Sequence, residues 1–198
     1  DATVLDNVSL EIEKGKIYGL VGRNGSGKTV LMKCICGLIK PTSGEVKVAG
    51  KTVGKDVDIP EDIGVIIETP GFIPNYSGFK NLKLLASVRN KISNEEIRKS
   101  MEIVGLEPKS RKHVGKYSLG MRQKLGIAQA IMEKPKILIL DEPMNGLDNE
   151  SVAVVRKILK EQAENGATII LASHNREDID VLCDNCLLYT SDAADDMQ

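Results

Sequence analysis

Aromatic residues are scarce in this chain of 198 residues: two Phe, four Tyr and no Trp, 3 % in all. That scarcity disfavours a surface built to stack bases or sugars. Neither charge is in excess, since 27 Lys+Arg face 28 Asp+Glu for a formal net charge of −1. A polyanion-seeking surface is therefore absent from the composition, and nucleic acid is not expected as a ligand. No stretch approaches the roughly 18 uninterrupted apolar residues of a membrane span, so membrane contact is expected only through a partner chain. Cysteine is sparse too, and four in this length do not make a disulfide scaffold. Cys34 and Cys36 lie two apart in an expected helix, face different directions, and read as small buried hydrophobes. Cys183 and Cys186 have redox or zinc spacing, but no second pair accompanies them. Position 1 is not Met and no signal-peptide pattern follows, so the start reads as a cut.

What is present is ordinary globular material, 41 % apolar and 28 % charged, enough for one domain with a buried core. Val4 to Ile12 alternates apolar and polar residues and predicts a half-buried strand ending at Gly15. Short apolar runs at Ile17–Val21, Ile63–Ile67, Ile137–Leu140 and Ala167–Ala172 predict buried strands, and Glu45–Ala49 an edge strand. Helical spacing follows Thr29, fills most of 71–132, and returns over Ser151–Glu164 and from Glu177 to Leu182. Strands alternating with helices predict an α/β fold with a mostly parallel sheet covered on both faces. The run Cys186-Leu-Leu-Tyr-Thr-Ser-Asp-Ala-Ala-Asp195 resembles a sequencing-library transposase adapter translated in frame. Native sequence is accordingly expected to stop near Asn185, leaving 186–198 as a non-native tail.

Gly22-Arg23-Asn24-Gly25-Ser26-Gly27-Lys28-Thr29 is a complete P-loop between a predicted buried strand and a helix. Its glycines let backbone N–H groups converge on phosphates, and the helix N-terminus adds its positive end. Lys28 is expected to reach the β- and γ-phosphates, and Thr29 to ligate Mg²⁺. Ile137-Leu-Ile-Leu-Asp141-Glu142 delivers two carboxylates at a strand end, where open α/β sheets bind ligands. Asp141 suits Mg²⁺ and Glu142 suits the attacking water. His174 ends the next apolar strand and is placed beside the same phosphates, whereas His113 reads as a structural or surface residue.

This combination resembles the ATP-binding cassette (ABC) family. The P-loop, the loop at Glu68, Tyr117-Ser118-Leu119-Gly120-Met121-Arg122-Gln123, the Asp141-Glu142 strand, and Asn145-Gly146-Leu147-Asp148 followed by His174 occur in that family's order over residues 2–185. The resemblance implies a P-loop NTPase with a RecA-like core (1–70 and 133–185), an antiparallel β edge and an inserted helical subdomain (71–132). It also implies a dimer in which ATP lies between one P-loop and the partner copy's Ser118 and Gly120. An adenine-stacking aromatic is expected ahead of Val4-Leu5, and Tyr18 reads as core.

Two departures stand out. Leu119 and Met121 replace the first glycine and the glutamine of the family's usual Leu-Ser-Gly-Gly-Gln. Glu68 stands where most relatives carry a Gln that contacts Mg²⁺ and water, and it adds negative charge near Asp141 and Glu142. The run Ile66-Ile-Glu68-Thr-Pro-Gly-Phe72-Ile-Pro-Asn75-Tyr76 resembles the subgroup that exports bacitracin or confers lantibiotic immunity. The expected function is the ATP-hydrolysing subunit of a transporter, working on a separate transmembrane permease at the inner face of the cell membrane. A non-transport ABC ATPase of translation or DNA maintenance is the alternative. Only residues 29–117 separate Lys28 from Ser118, with no heptad run, which leaves no room for the coiled coil of chromosome ATPases. A P-loop kinase or GTPase explains neither the Ser118 segment nor His174.

Overall fold

Unbroken apolar runs become the middle of the sheet: Ile17–Val21, Ile137–Asp141 and Thr168–Ala172 are strands with almost every residue buried, the pattern of a sheet covered on both faces. The computed structural model describes residues 3–23 and 25–188. In chain order the elements are β1 (Ile17–Val21), α1 (Lys28–Ile35), β2 (Lys47–Val48), β3 (Lys51–Thr52), β4 (Ile63–Ile66), α2 (Gly78–Arg89), α3 (Asn94–Ile103), α4 (Leu119–Ile131), β5 (Ile137–Asp141), α5 (Asn149–Glu164), β6 (Thr168–Ala172), α6 (Arg176–Leu182) and β7 (Asn185–Leu188). A short 3-10 turn, Val114–Lys116, precedes α4. The main sheet has the order β4-β5-β6-β1-β7 with every pairing parallel, and β2 and β3 form a separate antiparallel pair. This is the expected α/β architecture.

Strand alternation divides the core. Leu138, Leu140, Ile169 and Leu171 face a cluster that includes Leu82, Met101, Leu125 and Leu159 from the helices. Leu20, Ile139, Ile170 and Ala172 face the other side, against Leu31, Met32 and Ile35 of α1. Each such Leu or Ile contributes about 1.5–3 kcal/mol by leaving water. Gly64 on β4 sits under the Ala130 carbonyl of α4, and a Cβ there would collide with that oxygen. The close approach of α4 to β4 therefore requires glycine. Helix starts are capped as their sequences suggest: Ser77, Ser93, Ser118, Asp148 and Asn175 each accept a first-turn N–H.

The expected strand over Val4–Ile12 does not form. Leu5, Leu10 and Ile12 do pack against the α1 side of the core, but the segment has no ladder partner among the described residues. Apolar alternation places side chains, whereas a strand also needs a neighbour to accept its hydrogen bonds. The edge strand expected at Glu45–Ala49 shrinks for the same reason to Lys47–Val48, paired only with β3. At the other end β7 spans the expected Asn185/Cys186 boundary. Cys186 and Leu187 pair with Gly19 and Leu20, and Leu187 packs on the α1-side core, so the sheet continues past Asn185. Residues 189–198 of the tail lie outside the described residues. Cys34 and Cys36 are buried and Tyr18 is core.

Candidate active site

β1, β6, β5 and β4 are consecutive neighbours in the parallel sheet, so their C-terminal ends open on one edge, where α/β sheets bind ligands. β1 runs into the P-loop, β6 into Ser173-His174, β5 ends on Asp141 with Glu142 following, and Glu68 lies two residues beyond β4. A cleft of about 400 Å³ lies there, lined by Gly25–Val30, Glu68, Gln123, Asp141, Glu142 and Asn145 among others.

The P-loop curls through Gly25 (φ 82°) and Gly27 (φ 97°), left-handed conformations that favour glycine. Gly27 precedes α1 without a side-chain cap, so the helix start keeps donors for a ligand. Lys28, largely buried, donates from Nζ to the carbonyls of Gly22 (2.7 Å) and Arg23 (3.0 Å), which arches the loop around its ammonium. The Ser26 hydroxyl is buried and, among the described residues, has no hydrogen-bond partner. An orphaned hydroxyl beside uncapped helix donors fits a phosphate-bearing ligand. Gly22, Arg23, Gly25, Ser26, Gly27, Lys28 and Thr29 are thus placed together; Asn24 lies outside the described residues.

Thr29 Oγ1 donates to Asp141 Oδ2 at 2.7 Å. A hydroxyl and a carboxylate in contact at the phosphate-loop end are hard oxygen ligands, and they fit Mg²⁺ held partly by substrate phosphates. Glu142 and His174 also meet: Nδ1 lies 2.7 Å from Oε2. With Glu142 ionised, that bond puts the imidazole proton on Nδ1 and leaves Nε2 as the exposed outer nitrogen. Glu142 has φ 50°, uncommon outside glycine. Its backbone is held on all sides: the N–H donates to Ala172 O (2.9 Å), and the carbonyl accepts from Asn145 N–H (3.1 Å) and Gln123 Nε2 (3.2 Å). Gln123 Nε2 also donates to the Pro143 carbonyl at 2.9 Å.

Glu68 lines the cleft, but its carboxylate accepts from Lys33 Nζ at 2.6 Å rather than standing beside Asp141 unbalanced. Lys33 sits one turn after Thr29 on α1 and supplies the countercharge. Neither Lys33 nor Gln123 was assigned a role from sequence. The i,i+4 spacing from Thr29 and a glutamine on the buried face of α4 were the available signals. Ser118 Oγ accepts the Met121 N–H (3.2 Å) and caps α4. A Cβ on Gly120 would stand 2.9 Å from the Gly146 carbonyl, and Leu119 packs over Gly146. Asp148 caps α5 by accepting the Ser151 N–H at 2.8 Å, and bonding to Ser151 holds its carboxyl below the usual range. His113 is exposed and does not line the cleft.

Residues 5–145 match the family described as ABC transporter. The chain belongs to the ABC transporter family. It is 50 % identical over 185 residues to the uncharacterized ABC transporter ATP-binding protein YybJ of Bacillus subtilis, spanning 93 % of this chain and 85 % of that protein. The bacitracin transport ATP-binding protein BcrA of Enterococcus faecalis is 45 % identical, over 93 % of this chain and 60 % of BcrA. The lantibiotic transport ATP-binding protein SrtF of Streptococcus pyogenes is 38 % identical, over 92 % of this chain and 78 % of SrtF. Several of these relatives, BcrA among them, are thus longer, with the ABC chain spanning about 60 % of their length. A solved ATP-binding subunit of an ABC transporter superposes with TM-score 0.84 at 28 % identity, over 94 % of this chain and 79 % of the other. The ADP- and phosphate-bound dimeric cassette MJ0796 shares the fold with TM-score 0.84 at 22 % identity, over 94 % and 86 %. The chain is an ATP-binding ABC cassette.

Proposed function

We propose that this cassette hydrolyses Mg-ATP and drives a separate transmembrane permease that exports bacitracin-like or lantibiotic-like peptides. The observation that carries the catalytic part is the convergence of the P-loop, Asp141, Glu142 and His174 at the ends of adjacent parallel strands. Lys28, the loop N–H groups and Ser26 bind the phosphates of the substrate ATP. Thr29 and Asp141 would hold Mg²⁺, with the Glu68 carboxylate in the same cleft as a further candidate oxygen, and the cation would supply charge neutralisation to the triphosphate. Glu142 takes the proton of the attacking water through its Oε1, which the His174 bond leaves free. His174 holds Glu142 through Nδ1 and turns Nε2 toward the γ-phosphate.

The exposed Ser118 and Leu119 suit a second copy, across which Ser118 and Gly120 complete the site; MJ0796, which shares the fold, is a dimeric cassette. The permease contact is assigned to an apolar groove of about 370 Å³ where Leu38, Ile59 and Leu85 meet the Ile67–Gly71 loop that follows β4. Glu68 lies in that loop, so a partner seated there would reach the hydrolytic site directly. No described helix is long and apolar enough to cross a membrane. On the proposed reading, it is the permease that holds the cassette at the cytoplasmic face. The substrate class rests on the names of BcrA and SrtF and on the Glu68 segment. Co-expression with its permease in a bacitracin-sensitive bacterium should raise the bacitracin or lantibiotic concentration needed to stop growth, and Lys28→Ala should abolish the gain. Unchanged sensitivity to both classes contradicts the substrate assignment.

A further inference from the structure

The loop that carries His174 is tied to a buried ion pair that the hydrolytic reaction does not itself use. Asp178, in the first turn of α6, is 1 % exposed. A carboxylate so deeply buried persists only where its charge and lone pairs are met. Arg156 on α5 meets Oδ1 with two donors, Nε at 3.0 Å and Nη2 at 2.6 Å, and its Nη1 reaches Glu177 at 2.9 Å. The other carboxylate oxygen, Oδ2, accepts the Ser173 hydroxyl at 3.0 Å. Ser173 Oγ in turn accepts the Asn175 backbone N–H at 3.1 Å, and the Asn175 carbonyl accepts the Asp178 N–H at 3.1 Å. Both neighbours of His174 are thereby fastened to Asp178, Ser173 through its hydroxyl and Asn175 through the Asp178 backbone N–H, while the histidine itself is exposed and touches Glu142 at 2.7 Å.

We propose that Arg156, Asp178 and Ser173 form a positioning relay that fixes the His174 ring for its contact with Glu142. A plain staple between α5 and α6 needs Arg156 and Asp178 but not a hydroxyl bridging the two sides of His174. Ser173 is buried at the end of β6 and makes both of its bonds inside this loop. Arg156 also lies on the helix that Asp148 caps, so α5 connects the Asn145–Asp148 turn to the His174 loop. The relay's bearing on turnover rests on the hydrolytic role proposed for His174, whereas its bearing on the ring does not.

The chain holds two histidines, His113 and His174, which makes the ring directly observable. Imidazole ¹H–¹⁵N spectra of the purified full chain, assigned with His113→Gln, are compared for parent, Ser173→Ala, Ser173→Thr and Arg156→Lys. Ser173→Ala removes only the bridging hydroxyl and leaves the buried ion pair whole. It should move the His174 signals and leave those of His113 in place. It should also lower kcat for ATP about tenfold or more, within the roughly hundredfold that a misplacement of about 1 Å can cost, with KM near the parental value. Ser173→Thr keeps the hydroxyl and should restore both readouts; Arg156→Lys, which keeps charge but loses the fork, should fall between. Unmoved His174 signals in Ser173→Ala, or a loss that Ser173→Thr does not repair, overturn the relay. Moved His174 signals with parental kcat leave the relay standing and overturn instead the hydrolytic role of His174.

Discussion

Gln123 offers the sharpest link between packing and chemistry, because one buried amide holds the turn on which Glu142 is mounted. Its Nε2 spans the Glu142 and Pro143 carbonyls at 3.2 and 2.9 Å. Gln123→Ala removes both bonds. The Glu142 carbonyl keeps Asn145 N–H as a donor, so that loss is worth about 0.5–1.5 kcal/mol. The Pro143 carbonyl is left a buried acceptor without its donor, a cost of about 1–3 kcal/mol. A total of about 3 kcal/mol corresponds to a fall in Tm of about 6–12 °C for a chain of this size. Glu142 already holds an unfavourable φ of 50°, so the freed turn should relax and hydrolysis should fall with little change in ATP affinity. Gln123→Glu is the decisive companion. It is nearly isosteric but must either hold a buried charge against two carbonyls or take up a proton and donate to only one of them, so it should fall below the parent in both Tm and kcat at pH 7. Thermal denaturation and steady-state ATPase assays on the two variants measure this. A Gln123→Glu protein with parental Tm and kcat would refute the clamp.

Glu68→Gln should retain hydrolysis, because both side chains present an oxygen, and losing the exposed Lys33 pair should cost at most about 1 kcal/mol in a melting experiment; abolished turnover would show that the carboxylate itself is required. Gly64→Ala drives a Cβ into the Ala130 carbonyl and should lower stability by about 1–3 kcal/mol, read as a lower urea midpoint; an unchanged midpoint would contradict the close packing of α4 on β4. Cys34 and Cys36 are buried, and burial pushes the Cys36 thiol up to about 12. Iodoacetamide at pH 8 should therefore leave both unmodified in the native chain and label them after denaturation, as peptide mass mapping would record.

The residues that sequence identified well are those whose chemistry is local. A P-loop carries its glycines, lysine and threonine in one stretch, and Asp141 and His174 each end an apolar strand. What brings them together is not local: β6 lies between β1 and β5, although it follows both in the chain. Lys33 and Gln123 escaped notice because their partners, Glu68 and the carbonyls of Glu142 and Pro143, come from other elements. Val4–Ile12 misled for the complementary reason. Its alternation is real and buries Leu5, Leu10 and Ile12, but no neighbouring backbone among the described residues turns it into a strand. Glu68 illustrates both sides, since its chemistry was legible and its charge balance, set by a lysine on α1, was not.

Glu142, held by His174 and Gln123 at the end of β5, is the group proposed to activate the water that attacks ATP. Glu142→Gln tests it most directly, because the amide keeps size and hydrogen bonding but cannot take a proton. Equilibrium binding of Mg-ATP and single-turnover hydrolysis should be measured on the same preparation. ATP binding should be retained while hydrolysis falls by about 10²–10⁴, the usual worth of a general base. Hydrolysis at the parental rate with ATP fully bound would contradict it.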